Sequence, residues 1–253
     1  MTEVKYLIIG NSAGAIGAAE AIRQVDKTGT LAIVSDEPYP AYSRVRISGA
    51  LAYKYPIEKI LFRPADFYES NGIRTIFGRK AEKLDIAGHS VTLDDGSVIE
   101  WQKLLLATGG LPIVPPIKGG SSRGVFSFTT FDDAQAIDKY LDNVKEAVII
   151  GGGLIGVSAS EALNKRGVKV NIVEMKDRVL NAILDEEASE IEAAAMQKAG
   201  INIITGNTVA EITADANGCV NGVRMGDGSA IPCQMVIIAI GVTPRTELVK
   251  DTV

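Results

Sequence analysis

Gly151, Gly153 and Gly156 have the G-x-G-x-x-G spacing of a loop that binds the pyrophosphate of a dinucleotide. The first glycine permits a sharp turn, the second lets the backbone approach the phosphates, and the third lets a helix pack closely on a strand. The N–H groups and the dipole at the start of that helix attract the phosphates. The pattern in "AVIIGGGLIGVSASEAL" therefore predicts a dinucleotide site, to which Ile155 of the same loop also belongs.

A weaker version of this loop occurs near the N-terminus, in "LIIGNSAGAIGAAEAI". Here Ser12 and Ala15 stand where the pattern has its second and third glycines, and both are small enough for the same two roles. Alone, this stretch fits an ordinary strand–turn–helix as well as a nucleotide loop. The loop residues that we predict to bind a nucleotide are Gly10, Ser12, Ala13, Gly14 and Ala15.

The chain repeats one order of elements, and this repetition strengthens the first loop. After each loop come a helix and a second strand, "LAIVSDE" or "KVNIVEM", and later a hairpin with Asp-Gly at its turn. Each copy closes on an apolar strand that ends in glycine, "KLLLATGG" or "MVIIAIGV". The sequence therefore predicts an α/β fold with two Rossmann-like dinucleotide-binding domains.

An acidic residue follows the second strand of each copy, where a carboxylate can accept hydrogen bonds from ribose hydroxyls. Glu174 has this place in the second copy. In the first copy the candidates are Asp36 and Glu37, and Asp36 is preferred because it is nearer the strand end. The alternative, an exposed acid at a strand end, is weaker for two acids after two such loops. A carboxylate at Glu174 favours NADH over NADPH because it repels a 2′-phosphate.

The bulk composition excludes several classes of protein. A net charge of -5 over 253 residues leaves no basic surface for nucleic acid, and no apolar stretch is long enough to span a bilayer. Cys219 and Cys233 are isolated and there is no cluster of metal ligands, so we expect a reduced, cytoplasmic setting. The single histidine, His89, is interpreted as an exposed hairpin residue rather than a catalytic base.

With these motifs together, the chain resembles the FAD-dependent pyridine nucleotide-disulfide oxidoreductase superfamily. It is most similar to the branch without a redox-active disulfide: the NADH:rubredoxin and ferredoxin reductases and the flavin part of nitrite reductases. The resemblance implies an FAD-binding domain at 1–113 that resumes at 243–253, with an NAD(P)H-binding domain inserted at 114–242. It implies hydride transfer from NADH, with its nicotinamide stacked on the flavin, and electron transfer onward to an acceptor such as a small redox protein.

The resemblance also extends the predicted cofactor sites. Arg44 would lie near the FAD and Ala81 near its adenine, while "ATGG" would return to the cofactor and "GVTP" would lead back into the first domain. Because the chemistry would belong to the cofactors, we predict no catalytic side chain. No cysteine stands in "PYPAYSRVRISGALA", where relatives with a thiol relay carry one, so we predict direct electron transfer from the flavin. The further FAD-binding or linking residues are Ala107, Thr108, Gly109 and Gly241.

Family members continue with a further FAD-binding segment and a C-terminal interface domain, whereas this sequence stops at "LVKDTV". The resemblance therefore predicts a fragment of a longer reductase, whose full-length form can dimerise. Two other functions stay open. One is a nucleotide-binding module or remnant without turnover, and the other is a dehydrogenase that uses NAD alone and has no affinity for flavin.

Overall fold

The computed structural model describes residues 2–250. The α-helices are α1 (Ala13–Val25), α2 (Ile47–Tyr53), α3 (Phe67–Ser70), α4 (Phe131–Tyr140), α5 (Leu154–Lys165) and α6 (Glu186–Lys198). Short 3-10 helices cover Arg44–Arg46, Ile57–Lys59, Leu141–Asn143 and Glu247–Val249. The strands are β1 (Thr2–Ile9), β2 (Leu31–Ser35), β3 (Ile73–Phe77), β4 (Ala81–Asp85), β5 (Ser90–Leu93), β6 (Val98–Leu106), β7 (Gly110–Pro112), β8 (Val125–Phe126), β9 (Glu146–Ile150), β10 (Lys169–Val173), β11 (Asn202–Ile204), β12 (Val209–Ala214), β13 (Val220–Met225), β14 (Ala230–Ile231), β15 (Met235–Ile238) and β16 (Val242–Pro244).

The chain forms two compact units. The first contains the residues up to Ser43, Ile57–Leu111 and the chain from Pro244 on, and the second contains Arg44–Pro56 and Pro112–Thr243. These limits lie within two residues of the changes of domain predicted at 113/114 and 242/243. The structure differs at Arg44–Pro56, which groups with the second unit because α2 packs on α4 and α5. Residues 251–253 of the predicted return segment lie outside the described residues.

The first unit is built on a six-stranded sheet with the order β3-β2-β1-β6-β5-β4. Strands β3, β2, β1 and β6 are parallel, and β5 and β4 continue the sheet as antiparallel strands. The central strand β1 is covered on both faces, because Leu7 and Ile9 pack in one apolar cluster and Ile8 packs in another with Ile16 of α1. Burial on both faces is typical of a parallel strand in an α/β sheet.

The second unit repeats this plan with a parallel sheet of order β11-β10-β9-β15-β8 and a separate three-stranded antiparallel sheet, β12-β13-β14. The last residue of the first strand has equivalent neighbours in both units. Ile9 is paired with Val34 and Leu106, and Ile150 is paired with Val173 and Ile238. The predicted α/β fold of two Rossmann-like units, the second inserted in the sequence of the first, is confirmed.

One proline explains where the two copies differ. In the first unit β6 runs without interruption through Glu100, whereas in the second the equivalent stretch is divided into β14 and β15 around Pro232. Proline has no backbone N–H for a sheet hydrogen bond, so a strand is interrupted there. The hairpin of the second unit consequently forms its own small sheet.

Both predicted Asp-Gly hairpin turns are confirmed. In the first, the Asp95 carboxylate accepts a hydrogen bond from the Ser97 N–H at 3.0 Å, and in the second Asp227 accepts one from Ser229 at 2.9 Å. The glycine of each turn has a positive φ. Among residues 2–250, no helix combines the length and apolarity that crossing a membrane requires.

Candidate dinucleotide-binding sites

The first glycine-rich loop begins where β1 ends, beside the last strand of its unit. Gly10 has a φ of 114°, and a Cβ there would overlap the carbonyl oxygen of Ala107. The Gly10 N–H donates to Val34 O at 2.8 Å, and the Ala107 N–H donates to Ile9 O at 2.8 Å. The loop thus lies between the carboxyl ends of β2 and β6, where the strand order changes direction and open α/β sheets bind their ligands.

Helix α1 presents its amino end to this loop. Ser12 is its N-cap residue and its side chain makes no capping hydrogen bond, so the first-turn N–H groups receive no cap from it. Ala15 is fully buried, which is the close helix–strand packing that requires a small third residue. A Cβ on Gly14 would lie 3.8 Å from that of Ala107, an ordinary contact, so the fold does not itself require glycine there.

The acids after β2 have protein partners. The Asp36 carboxylate accepts a hydrogen bond from Arg245 Nη1 at 2.6 Å, and Glu37 Oε2 accepts one from the Tyr42 hydroxyl at 2.5 Å. The strand register makes Ser35, rather than Asp36 or Glu37, the equivalent of Glu174, because Val34 and Val173 have the same place beside β1 and β9. Sequence reasoning missed Ser35. The equivalence of the two positions was hidden in the sequence, because the turn before β2 is two residues longer than the turn before β10.

Arg245 joins three of the residues predicted for the first site. Besides its ion pair with Asp36, its N–H donates to Gly109 O at 3.0 Å, and its carbonyl accepts from Thr108 Oγ1 at 3.0 Å. The Nε atom of Arg245 is buried and has no hydrogen-bond partner in the described part of the chain. The return segment predicted at "GVTP" ends one residue before this arginine, so Arg245 is an addition to the candidate site.

Two further residues predicted to lie near FAD belong to different units. Ala81 begins the edge strand β4 and packs, partly buried, against the cluster that contains Val34 and Leu84. Arg44 groups with the second unit, where its Nη1 donates to the carbonyl oxygen of Thr129 at 2.9 Å. The role assigned to either residue stays a prediction.

The three glycines of the second loop are needed for three different reasons. Gly151 has a φ of 107°, and a Cβ there would lie 2.5 Å from Ala239 O. A Cβ on Gly156 would overlap the Gly151 carbonyl oxygen, so α5 could not pack against β9 as it does. A Cβ on Gly153 would have no atom within 4 Å, so this position is left open toward the space where a phosphate would approach.

Glu174 is held in place by backbone groups. Its Oε2 accepts a hydrogen bond from the Gly152 N–H at 2.6 Å, and its Oε1 accepts one from the Lys176 N–H at 2.8 Å. Each carboxylate oxygen has two acceptor positions, so both can still accept a hydrogen bond from a ribose hydroxyl. The carboxylate therefore lies beside the glycine-rich loop in a fixed orientation.

These residues line a cleft of about 690 Å³ in the second unit, which is within the usual size range of small-molecule sites. Gly151, Gly153, Ile155, Glu174 and Gly241 all belong to its lining, whereas Gly156 lies beneath it. Sequence reasoning missed its apolar rim, because exposed apolar side chains have no periodic pattern that marks them as a site. The rim side chains more than half exposed are Leu154, Met175 and Ile183.

A strained residue closes one side of this cleft. Leu180 has a φ of 55°, which side chains other than glycine rarely adopt, and it is buried. Its N–H donates to the Gly152 carbonyl at 2.8 Å. Both the N–H and the carbonyl of Gly152 are therefore hydrogen-bonded to the segment after β10.

The single histidine and the two cysteines are not among the residues of either candidate site. His89 is exposed at the turn before β5, and its ring stacks on Trp101 with centroids 4.6 Å apart. Cys219 and Cys233 are free thiols in the second unit. Burial raises the pKa of Cys233 to about 12, so it stays a neutral thiol, and Cys219 accepts two contacts from the Arg123 guanidinium at 3.0 and 3.2 Å.

Comparison with known proteins places the whole arrangement in one family. The sequence model described as "Pyridine nucleotide-disulphide oxidoreductase" matches residues 4–253. The chain is 33% identical to a 5,5'-dehydrodivanillate O-demethylase ferredoxin reductase subunit of Sphingobium sp., over 97% of this chain and 60% of that protein. It is 30% identical to an NADH-rubredoxin oxidoreductase of Clostridium acetobutylicum, over 100% of this chain and 62% of that protein.

A solved structure has the same fold. The crystal structure of a ferredoxin reductase from Rhodopseudomonas palustris superposes with a TM-score of 0.90 at 28% identity, over 96% of this chain and 60% of that one. The chain therefore spans about three fifths of the length of these relatives.

Proposed function

The chain belongs to the pyridine nucleotide-disulphide oxidoreductase family, and we propose that it is an FAD-dependent NAD(P)H oxidoreductase. The observation that carries this proposal is the duplicated loop: Gly10 and Gly151 begin two glycine-rich turns, each packed on the carbonyl of the returning strand. One such turn would serve a single nucleotide. Two turns in equivalent places are what a protein needs to bind both an electron donor and a flavin.

We assign FAD to the first unit and NADH to the second. When bound, FAD supplies the redox chemistry, accepting a hydride and passing electrons onward. The protein contributes binding and orientation. Gly153 leaves room for the pyrophosphate of NADH, the start of α5 attracts its charge, and Glu174 orients a ribose. In the first unit Gly10 and Ser12 have the equivalent positions. The ion pair of Asp36 with Arg245 connects the end of β2 to the segment that follows β16.

The proposed electron acceptor is a small redox protein. This is supported by the relatives, which are named as a ferredoxin reductase subunit and an NADH-rubredoxin oxidoreductase. A thiol relay is not proposed, because Ser43 stands in the segment where the relay cysteine of related enzymes would lie. We further propose a cytoplasmic location, which the two free thiols Cys219 and Cys233 support and cell fractionation would test.

The test is anaerobic reduction of the bound flavin. The protein is loaded with FAD, NADH is added without oxygen, and the visible absorbance of the flavin is followed. Bleaching is expected. FAD binding without bleaching would instead support a nucleotide-binding module, and absence of FAD binding would support a dehydrogenase that uses NAD alone.

A matched variant makes the test specific to the second unit. Gly153→Ala should keep FAD bound but bleach more slowly at a low NADH concentration, because its methyl group would occupy the space left for the pyrophosphate. Equal rates of bleaching for the two proteins at a low NADH concentration would contradict the assignment of NADH to this loop.

A further inference from the structure

Asn11 stands between Gly10 and Ser12, at a position of the loop where the dinucleotide pattern specifies no residue type. Its side chain nevertheless makes a hydrogen bond at both its oxygen and its nitrogen. Asn11 Oδ1 accepts a hydrogen bond from the Tyr68 hydroxyl at 2.8 Å, and Asn11 Nδ2 donates one to the carbonyl oxygen of Tyr39 at 3.1 Å. The glycine-rich loop is thus connected to two segments far from it in sequence.

Tyr68 is held rigidly at the other end of this connection. It is 8% exposed, and its ring packs edge-on against Phe67 and Phe77 with centroids 5.3 Å apart in each case. Its hydroxyl also accepts a hydrogen bond from the Ala41 N–H at 2.8 Å. Burial raises the pKa of the Tyr68 phenol, so the hydroxyl keeps the proton that it donates to Asn11.

The second unit makes the same connection by other means. The residue equivalent to Asn11 is Gly152, whose N–H donates to Glu174 and whose carbonyl accepts from the Leu180 N–H. In both units, therefore, the residue after the first glycine ties the loop to the segment that follows the second strand. One copy uses a side chain and the other uses the backbone, so the connection is common to both copies although the residue type is not.

We propose that the Asn11–Tyr68 hydrogen bond, together with the bonds to Tyr39 and Ala41, is a loop clasp that preorganises the phosphate-binding turn of the first unit. Tyr68 is then a positioning residue for FAD and makes no contact with it of its own. The inference rests on the proposed function, because it assigns FAD to this loop. Without the clasp, the loop would have to be ordered at the moment of binding, which lowers affinity.

The experiment compares Tyr68→Phe, Asn11→Ala and the double variant. Each is titrated with FAD by quenching of flavin fluorescence, at a temperature where circular dichroism shows all variants folded. We expect each single change to raise the Kd for FAD about 10-fold, the effect of losing roughly 1.4 kcal/mol of binding free energy. The losses of affinity should be less than additive in the double variant, since both changes break the Asn11–Tyr68 bond.

Tyr140→Phe is the matched control, because it removes a tyrosine hydroxyl from the second unit, where that hydroxyl donates to Arg123 O at 3.3 Å. Its Kd for FAD should not change. The Kd of the clasp variants for NAD⁺, which we assign to the second unit, should equal that of the wild type. A general structural defect would instead weaken the binding of both cofactors, and that result would overturn the positioning role.

The outcomes separate this inference from the function that it rests on. If the wild type binds FAD and both single variants bind it as tightly as the wild type does, the proposed role of the clasp is wrong and the proposed function stands. If the wild type does not bind FAD at all, the proposed function fails first. Should Tyr68→Phe not fold, Asn11→Ala alone decides, because it removes the same bond and leaves the aromatic packing intact.

Discussion

Glu174 contributes charge as well as hydrogen-bond acceptors to the cleft of the second unit. Its carboxylate is fixed by the N–H groups of Gly152 and Lys176, so it cannot readily turn away from an incoming nucleotide. A free ribose diol can donate hydrogen bonds to this carboxylate, whereas a 2′-phosphate would be repelled by it. The cationic side chains nearby in sequence, Lys176 and Arg178, reduce this repulsion but do not donate to Glu174 in the described structure.

We therefore predict that NADH is preferred over NADPH and that Glu174→Ser reduces this preference by about 10-fold or more, equivalent to roughly 1.4 kcal/mol. The measurement is the ratio of kcat/KM for the two nucleotides in flavin reduction. Glu161→Gln, an exposed acid on α5 that pairs with Lys165, is the charge-matched control and should leave the ratio unchanged. A wild-type ratio at or below one would show that Glu174 does not select the nucleotide.

Asp26 governs a separate, acid-sensitive contribution to stability. The Lys5 ammonium at 2.6 Å, helped by the N–H groups of Gly29 and Thr28, holds the pKa of its carboxyl well below the usual range. Because the folded pKa lies below the unfolded value of about 3.9, this stabilisation is complete above that pH and is lost as pH falls through the folded pKa. Asp26→Asn should therefore lower the urea midpoint at pH 7 and lower it less at pH 3.

The exposed Asp142 supplies the comparison for this effect, since Asp142→Asn makes the same chemical change on the surface of the second unit. Its urea midpoint should follow that of the wild type at both pH values. An Asp26→Asn deficit that is as large at pH 3 as at pH 7 would mean that the ion pair is not the cause.

At the scale of elements, we expect two glycines at the start of α5 to have different roles. Gly153, its N-cap residue, should matter for binding, and Gly156, in its first turn, should matter for folding. Gly153 has an ordinary φ of −80° and an open Cβ direction, so Gly153→Ala should fold normally. We expect its thermal midpoint to stay near that of the wild type while the KM for NADH rises about 10-fold or more, a loss of at least roughly 1.4 kcal/mol.

Gly156→Ala should behave in the opposite way. Its Cβ would overlap the Gly151 carbonyl, and such overpacking typically costs about 1–3 kcal/mol of folding free energy. Thermal unfolding followed by circular dichroism should show a lower midpoint for this variant. Gly17→Ala in α1, where a Cβ meets no atom within 4 Å, is the control and should not be destabilised. A stable Gly156→Ala protein would contradict the packing role.

The elements were predictable from the sequence wherever their signal was local. Apolar strands, the two glycine-rich turns and both Asp-Gly hairpins have residue types that determine the backbone nearby. The grouping of α2 with the second unit was not predictable, because it depends on packing against α4 and α5, which come much later in the chain. Likewise, Ser35 is recognised as the equivalent of Glu174 only from the strand register, and Arg245 as a partner of Asp36 only from the fold.

At the scale of the whole molecule, each unit has its own sheet with parallel strands at the centre, and apolar clusters of its own. The single tryptophan, Trp101, is 9% exposed within β6 and belongs to a cluster of the first unit. Its fluorescence therefore reports the unfolding of that unit without any engineered probe. Binding of a ligand raises the stability of the unit that binds it by mass action.

This probe tests which unit binds which dinucleotide. At 100 times its Kd, FAD should stabilise the first unit by about 2.7 kcal/mol and raise the Trp101-detected thermal midpoint by roughly 10 °C. NAD⁺ at the same saturation should raise that midpoint less, because we assign it to the second unit. The position of the emission maximum is the measurement, since flavin quenching changes intensity rather than wavelength, and Trp101→Phe should abolish the signal. If NAD⁺ shifts the Trp101 transition as far as FAD does, the assignment of FAD to the first unit and NADH to the second is wrong.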